Sequence, residues 1–176
     1  MDELGFNEGL LSPLRTKYLE PLSQFLFPQE SKSGFDSHKV FTVDYEKDKD
    51  IELDFHFDNS EVSKLYPLKE KDDTQQSFSI QITVNVCLLA DCEGGELYFG
   101  SPDSGFGYIH QQGRAVIHRG SDLHCVLPLE TGRRVNLVMW MRSSAVRNVM
   151  CPMCKKTPNL EPVEYGCGDG FVITKT

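Results

Sequence analysis

No apolar run among the 176 residues is long enough to span a bilayer. The N-terminal Met1-Asp2-Glu3-Leu4-Gly5 has neither the positive lead nor the apolar core of a secretory signal. A soluble intracellular protein without a membrane segment is expected. Basic charge is scarce: 18 Lys and Arg stand against 26 Asp and Glu, giving a formal charge of −8. Affinity for nucleic acid rests on neutralising phosphates with basic side chains, so no nucleic-acid partner is expected. Six cysteines are too sparse in a chain of this size for the disulfide framework of a small secreted domain, and a reducing compartment fits better. What is present, 39% hydrophobic and 25% charged residues, suffices for one globular domain with a sizeable core.

Residues Gly9 to Phe27 carry Leu10, Leu11, Leu14, Tyr18, Leu22, Phe25 and Leu26 at spacings of three and four, with Ser12-Pro13 as a start signal. This predicts a helix bracing a sheet, bent or interrupted at Pro21. From Phe35 to Tyr45 the pattern turns strand-like, and the charged run Glu46 to Asp50 predicts a hairpin into the next strand. Residues 64–77 are polar and aperiodic and read as a loop. Phe78 to Leu89 reads as a strand buried on both faces. Shorter strands follow, punctuated by glycine turns at Gly94-Gly95, at Ser101 to Gly105 and at Glu130-Thr131-Gly132, and Arg133 to Arg142 is the last. Many short strands in one domain predict an all-β barrel or sandwich with a helix packed outside. The expected organisation is an N-terminal helical support at 1–34, a β domain at 35–145 and a cysteine-containing tail at 146–176.

The chain is organised around Ile51-Glu52-Leu53-Asp54-Phe55-His56-Phe57-Asp58, in which apolar and ionisable residues alternate. Side chains two apart on a strand share a face, so His56 and Asp58 point together and Leu53, Phe55 and Phe57 pack on the other side. An imidazole beside a carboxylate supplies two of the three groups that hold a non-haem ferrous ion with coordination positions left open. The bland alternative is an amphipathic strand with a solvated acidic face. His118 and His124 flank the turn Arg119 to Leu123, and either could close the triad; His124, at the start of a strand, is preferred. On the last strand Arg134, Asn136, Val138 and Trp140 share a face. An arginine directed into a barrel keeps its charge and needs an acidic partner. A bound dicarboxylate would provide one, chelating metal at one end and pairing with Arg134 at the other.

His56-x-Asp58, Gly94-Gly95-Glu96-Leu97-x-Phe99, His124 and Gly132-x-Arg134, in that order, resemble the iron- and 2-oxoglutarate-dependent dioxygenases of the prolyl 4-hydroxylase type. The resemblance covers most of the chain. It implies a mainly β, double-stranded β-helix (jelly-roll) fold, Fe(II) held by His56, Asp58 and His124, and 2-oxoglutarate held through its distal carboxylate by Arg134. Tyr45 matches the place where such enzymes set a tyrosine against the co-substrate, and Asn136 shares the face of Arg134. The implied reaction consumes molecular oxygen, decarboxylates 2-oxoglutarate to succinate and hydroxylates a protein or peptide side chain, prolyl by family analogy, with ascorbate as reductant.

Compared with this pattern, residues 64–82 are an insertion beside the proposed iron, to be read as a substrate lid, a tolerated insertion or one that spoils the barrel. The last reading gives a catalytically impaired or binding-only protein. A cupin-like metalloenzyme without 2-oxoglutarate is a second rival, one that leaves Arg134 without a partner. Cys151-Pro152-Met153-Cys154 is half of a zinc knuckle with only Cys167 nearby, so free thiols are expected. His38 and His110 lack metal-site spacing and read as surface or satisfied histidines.

Overall fold

The computed structural model describes residues 5–58, 81–149 and 156–157. Residues 59–63, the expected insertion up to residue 80, and Cys151, Cys154 and Cys167 lie outside the described residues. Among the described residues, eight strands form two four-stranded antiparallel sheets: β1 (Ser37–Glu46), β2 (Leu53–His56), β3 (Gln81–Gly94), β4 (Leu97–Ser101), β5 (Ser104–Tyr108), β6 (Ala115–Arg119), β7 (His124–Val126) and β8 (Leu129–Arg142). One sheet has the order β1-β8-β3-β6 and the other β2-β7-β4-β5. The chain crosses between sheets after β1, β2, β3, β5, β6 and β7, which is the winding of a double-stranded β-helix.

This winding corrects the expected hairpin. The turn after Glu46 is present, closed by Glu46 N–H to the Asp50 carbonyl at 3.0 Å, but it carries the chain across the barrel. β1 therefore pairs with β8, and β2 with β7. The expected turn at Glu130-Thr131-Gly132 is likewise inside β8, opposite Cys92 and Glu93 of β3. Gly132 has φ 75°, and a Cβ there would run into the Asp91 carbonyl. Glycine is needed because the backbones of β3 and β8 approach this closely and the conformation is left-handed, so the turn composition marks an irregular strand.

The N-terminal helix covers the outer face of the β1-β8-β3-β6 sheet, where Leu11 and Leu19 pack with Phe35, Ile82, Val84, Met139 and Met141. It runs without a break over residues 7–26. Pi-helical turns at Asn7–Leu11 and Arg15–Leu19 each lead into a proline-bearing segment, and Ser12 and Glu20 N–H reach back five residues to the Asn7 and Arg15 carbonyls. A proline lacks an N–H and crowds the carbonyl four residues back; a wider turn relieves both, so Pro21 widens the helix instead of interrupting it. Wider turns also reset the buried face to every fourth residue, namely Leu11, Arg15, Leu19 and Ser23. Leu10, Tyr18, Leu22, Phe25 and Leu26, expected against the sheet, are exposed.

The barrel interior holds a second cluster of Tyr45, Leu97, Phe99, Val126 and Leu129. The alternation of β8 divides the two environments: Arg134, Asn136 and Val138 are buried in the barrel, whereas Met139 and Met141 pack under the helix.

Candidate metal centre

β2 lies at the edge of its sheet, and of its ionisable side His56 and, just past the strand, Asp58 turn into the barrel, whereas Glu52 and Asp54 are exposed. Its apolar side must then face outward: Leu53, Phe55 and Phe57 are exposed, and Phe55 only partly covers Tyr98, at 6.1 Å between ring centroids. The expected packing of those three residues is corrected accordingly. The inward side ends in His56 and Asp58, and β7 sets His124 directly opposite His56. His124 Nε2 lies 3.6 Å and His56 Nε2 3.9 Å from Asp58 Oδ1. One ligand atom from each of the three lies within 4.8 Å of the others.

The 3.6 and 3.9 Å separations from the carboxylate exceed hydrogen-bond length but suit atoms that each reach a common ion about 2.0–2.2 Å away. Proton placement agrees. His56 Nδ1–H donates to the Asp54 carbonyl at 2.7 Å, and His124 Nδ1–H to the Asp122 carbonyl at 2.8 Å. A carbonyl only accepts, so each ring carries a proton on Nδ1 and turns its Nε2 toward Asp58. Burial pulls His124 down to about 4, opposed by the Asp58 charge, and so keeps it in its ligating form. Two imidazoles and one carboxylate, side by side, are the donor set of a non-haem ferrous site.

Deeper in the barrel, Arg134 is 2% exposed, and its Nε and Nη1 have no hydrogen-bond partner among the described residues. Its guanidinium lies 4.8 Å from the Tyr45 ring, from the register-paired residue of β1. Burial weighs against the charge, and a guanidinium enclosed this way calls for an anion. Arg133, on the opposite face, is already paired with Asp44 at 2.6 Å. Two residues along β8, Asn136 Nδ2 donates to Asn85 Oδ1 at 2.6 Å and approaches His110 Nδ1 at 3.2 Å. Arg134, Tyr45 and Asn136 are thus buried at neighbouring positions of β8 and β1.

His110, expected as a surface or satisfied histidine, is buried against Asn136 and Tyr108, and burial together with Arg134 lowers it to about 4. His38 is also buried and bonds Asn7 Oδ1 at 2.7 Å. His118, the alternative ligand, is buried on β6 with its Nε2 3.6 Å from the other oxygen of Asp58, Oδ2. Thr83, which no motif singles out, donates a hydrogen bond to the same Oδ2. Beside the triad opens a cavity of about 630 Å³ lined by Phe57, Phe99, Phe106, Tyr108, His118 and Arg119, among others.

No family model matches the chain. It is 40% identical over 178 residues to the human 2-oxoglutarate and iron-dependent oxygenase domain-containing protein 2, covering 97% of this chain and 45% of that protein. The Xenopus tropicalis protein of the same name is 38% identical, over 99% of this chain and 46% of its own length. The Arabidopsis thaliana protein ICU11, a 2-oxoglutarate and iron-dependent oxygenase domain-containing protein, is 33% identical, over 85% and 35%. The chain therefore spans less than half the length of the curated relatives it matches. Among solved structures, a Pseudomonas putida prolyl-4-hydroxylase aligns with a TM-score of 0.46 at 18% identity, over 69% of this chain and 62% of that one. A Bordetella pertussis cupin domain aligns with a TM-score of 0.38 at 12% identity, over 61% and 83%. Over nearly its whole length, the chain is a homologue of the 2-oxoglutarate and iron-dependent oxygenase domain-containing proteins.

Proposed function

We propose that this chain is the catalytic barrel of an Fe(II)- and 2-oxoglutarate-dependent dioxygenase acting on a protein or peptide side chain. The observation that carries the reading is the pairing of a His56, Asp58 and His124 donor set with a buried Arg134 that lacks an anionic hydrogen-bond partner among the described residues. The ferrous ion, with 2-oxoglutarate and molecular oxygen, supplies the oxidation that turns the co-substrate into succinate and carbon dioxide and hydroxylates a C–H bond. The protein's part is placement. His56, Asp58 and His124 would hold the ion, their tautomers set by the Asp54 and Asp122 carbonyls. Arg134 would take the distal carboxylate through its free N–H groups, with Tyr45 alongside and Asn136 beyond it. Phe99, Leu97 and Val126 line the barrel with apolar surface that keeps water from the reacting atoms.

The aromatic lining of the adjoining cavity favours an extended peptide bearing an apolar ring or chain, in keeping with prolyl as the family-level substrate. Ascorbate is the proposed reductant. The unpartnered guanidinium weighs against a cupin-like enzyme without 2-oxoglutarate. The test is succinate formation from 2-oxoglutarate by the purified chain, under air with ferrous iron and ascorbate, beside a His124→Ala control. Iron-dependent succinate absent from the control is expected; retained 2-oxoglutarate binding without succinate would replace this reading with a binding-only barrel.

A further inference from the structure

We propose that Thr83 is a positioning residue, one that decides which oxygen of Asp58 faces the metal. The inference rests on the metal-centre reading above and deepens it. Thr83 lies in the middle of the β1-β8-β3-β6 sheet, register-paired with Trp140 on β8 and with His118 on β6. Its hydroxyl reaches across the barrel to Asp58 Oδ2. Thr83 is 1% exposed and the Asp58 side chain 7%, so water does not readily replace that bond. With Oδ2 held, Oδ1 is the oxygen turned toward Nε2 of both His124 and His56.

His118 also faces Oδ2, but it does not do the same job. Its Nδ1–H donates to the Arg119 carbonyl at 3.0 Å, which leaves an Nε2 lone pair toward the carboxylate at 3.6 Å. Among the described residues, Thr83 is the side chain whose hydrogen bond to Asp58 is seen. Its neighbours Ile82 and Val84 are apolar and pack under the helix, so a β-branched apolar residue would suit the strand equally well at 83. The hydroxyl is what the barrel interior requires there. A carboxylate pinned through one oxygen offers the ion a single atom and one coordination position. The same carboxylate, free to turn, can chelate with both oxygens and take a position the co-substrate needs, or swing away altogether. Partners of ligating carboxylates typically change metal affinity about 10–100-fold when removed.

The test is Mn(II) binding, read from the signal of the free ion, on the purified chain and on Thr83→Val, Thr83→Ser and His56→Ala. The unfolding midpoint of each metal-free variant is measured in parallel. Thr83→Val, nearly isosteric, is expected to bind Mn(II) about 10–100-fold more weakly with its metal-free midpoint near that of the parent, and Thr83→Ser to restore the affinity. Thr83→Ala carries the same expectation as Thr83→Val should the latter fail to fold. Co(II) bound to Thr83→Val is expected to show altered d–d absorption, reporting a changed coordination. Equal affinity in Thr83→Val and the parent, with binding lost in His56→Ala, would overturn the role of Thr83 alone. Affinity lost equally in Thr83→Ser and Thr83→Val would also overturn it. Parent binding no tighter than that of His56→Ala would overturn the metal centre itself.

Discussion

At Arg134 a single side chain combines burial, charge and unmet hydrogen-bonding capacity. Removing it takes away the proposed anchor of the distal carboxylate but none of the metal ligands. Arg134→Ala should weaken 2-oxoglutarate binding to the Mn(II)-loaded protein by more than tenfold, given about 1.5–3 kcal/mol for a charged hydrogen bond, while Mn(II) affinity is unchanged. Calorimetric titration of both ligands checks this, and loss of metal together with co-substrate would contradict the assignment. His110 makes a separate prediction through pH. It is lowered from 6.5 to about 4, mainly by burial, so between those values the unfolded chain binds a proton that the folded chain does not. Stability is therefore complete above about pH 6.5 and is lost as pH falls toward 4. The contribution is as much as about 3 kcal/mol. The urea midpoint of the metal-free chain should fall through this window, and less steeply in His110→Gln; parallel slopes would contradict it.

At the scale of elements, the N-terminal helix separates what periodicity predicts from what the fold does. Leu11→Ala or Leu19→Ala should cost about 2–5 kcal/mol as large-to-small changes in a packed core. Tyr18→Ala and Phe25→Ala, on the exposed face, should stay within about 0.5 kcal/mol. Urea denaturation of the four variants decides between this face and the one expected from a 3.6-residue period. That face was hidden in the sequence because the pi-helical turns ahead of Pro13 and Pro21 change the repeat, and no pattern of apolar residues announces a changed repeat. β2 and β8 were far more legible. A period of two is rigid, so His56 with Asp58, and Arg134 with Asn136, could be placed on shared faces from the letters alone. Which side of β2 was the inside could not be read: His56 and Asp58 turn into the barrel, while Leu53, Phe55 and Phe57 stay exposed together with Asp54, against the usual preference. Thr83 and His110 carried no signal either, because each acquires its partner from a residue distant in sequence, Asp58 in one case and Asn136 in the other.

At the scale of the whole molecule, the winding brings four strands' worth of chemistry to one end and one wall of the barrel. The end of β2 and the start of β7 deliver the donor set, β8 delivers the guanidinium, and β3 steadies the carboxylate from the facing sheet. The two sheets are thereby joined through polar contacts at the site as well as through the apolar cluster around Leu97 and Phe99. Occupancy of the donor set should then stabilise the whole fold, since a ligand that binds only the folded state raises its stability with concentration. A concentration-dependent rise in melting temperature with Mn(II), absent in Asp58→Ala, is expected, and an equal rise in that variant would place the ion elsewhere. Acidification should weaken the effect, because the imidazoles must be neutral to ligate.

The most direct test of the central claim is 2-oxoglutarate consumption and succinate release, followed together in the purified chain with ferrous iron, ascorbate and air. Asp58→Ala and Arg134→Ala are run beside it. The account predicts stoichiometric, iron-dependent succinate from the parent chain and none from Asp58→Ala. For Arg134→Ala it predicts turnover that returns only at raised 2-oxoglutarate. Succinate formed at the parent rate by Asp58→Ala, or by Arg134→Ala at limiting 2-oxoglutarate, would contradict it.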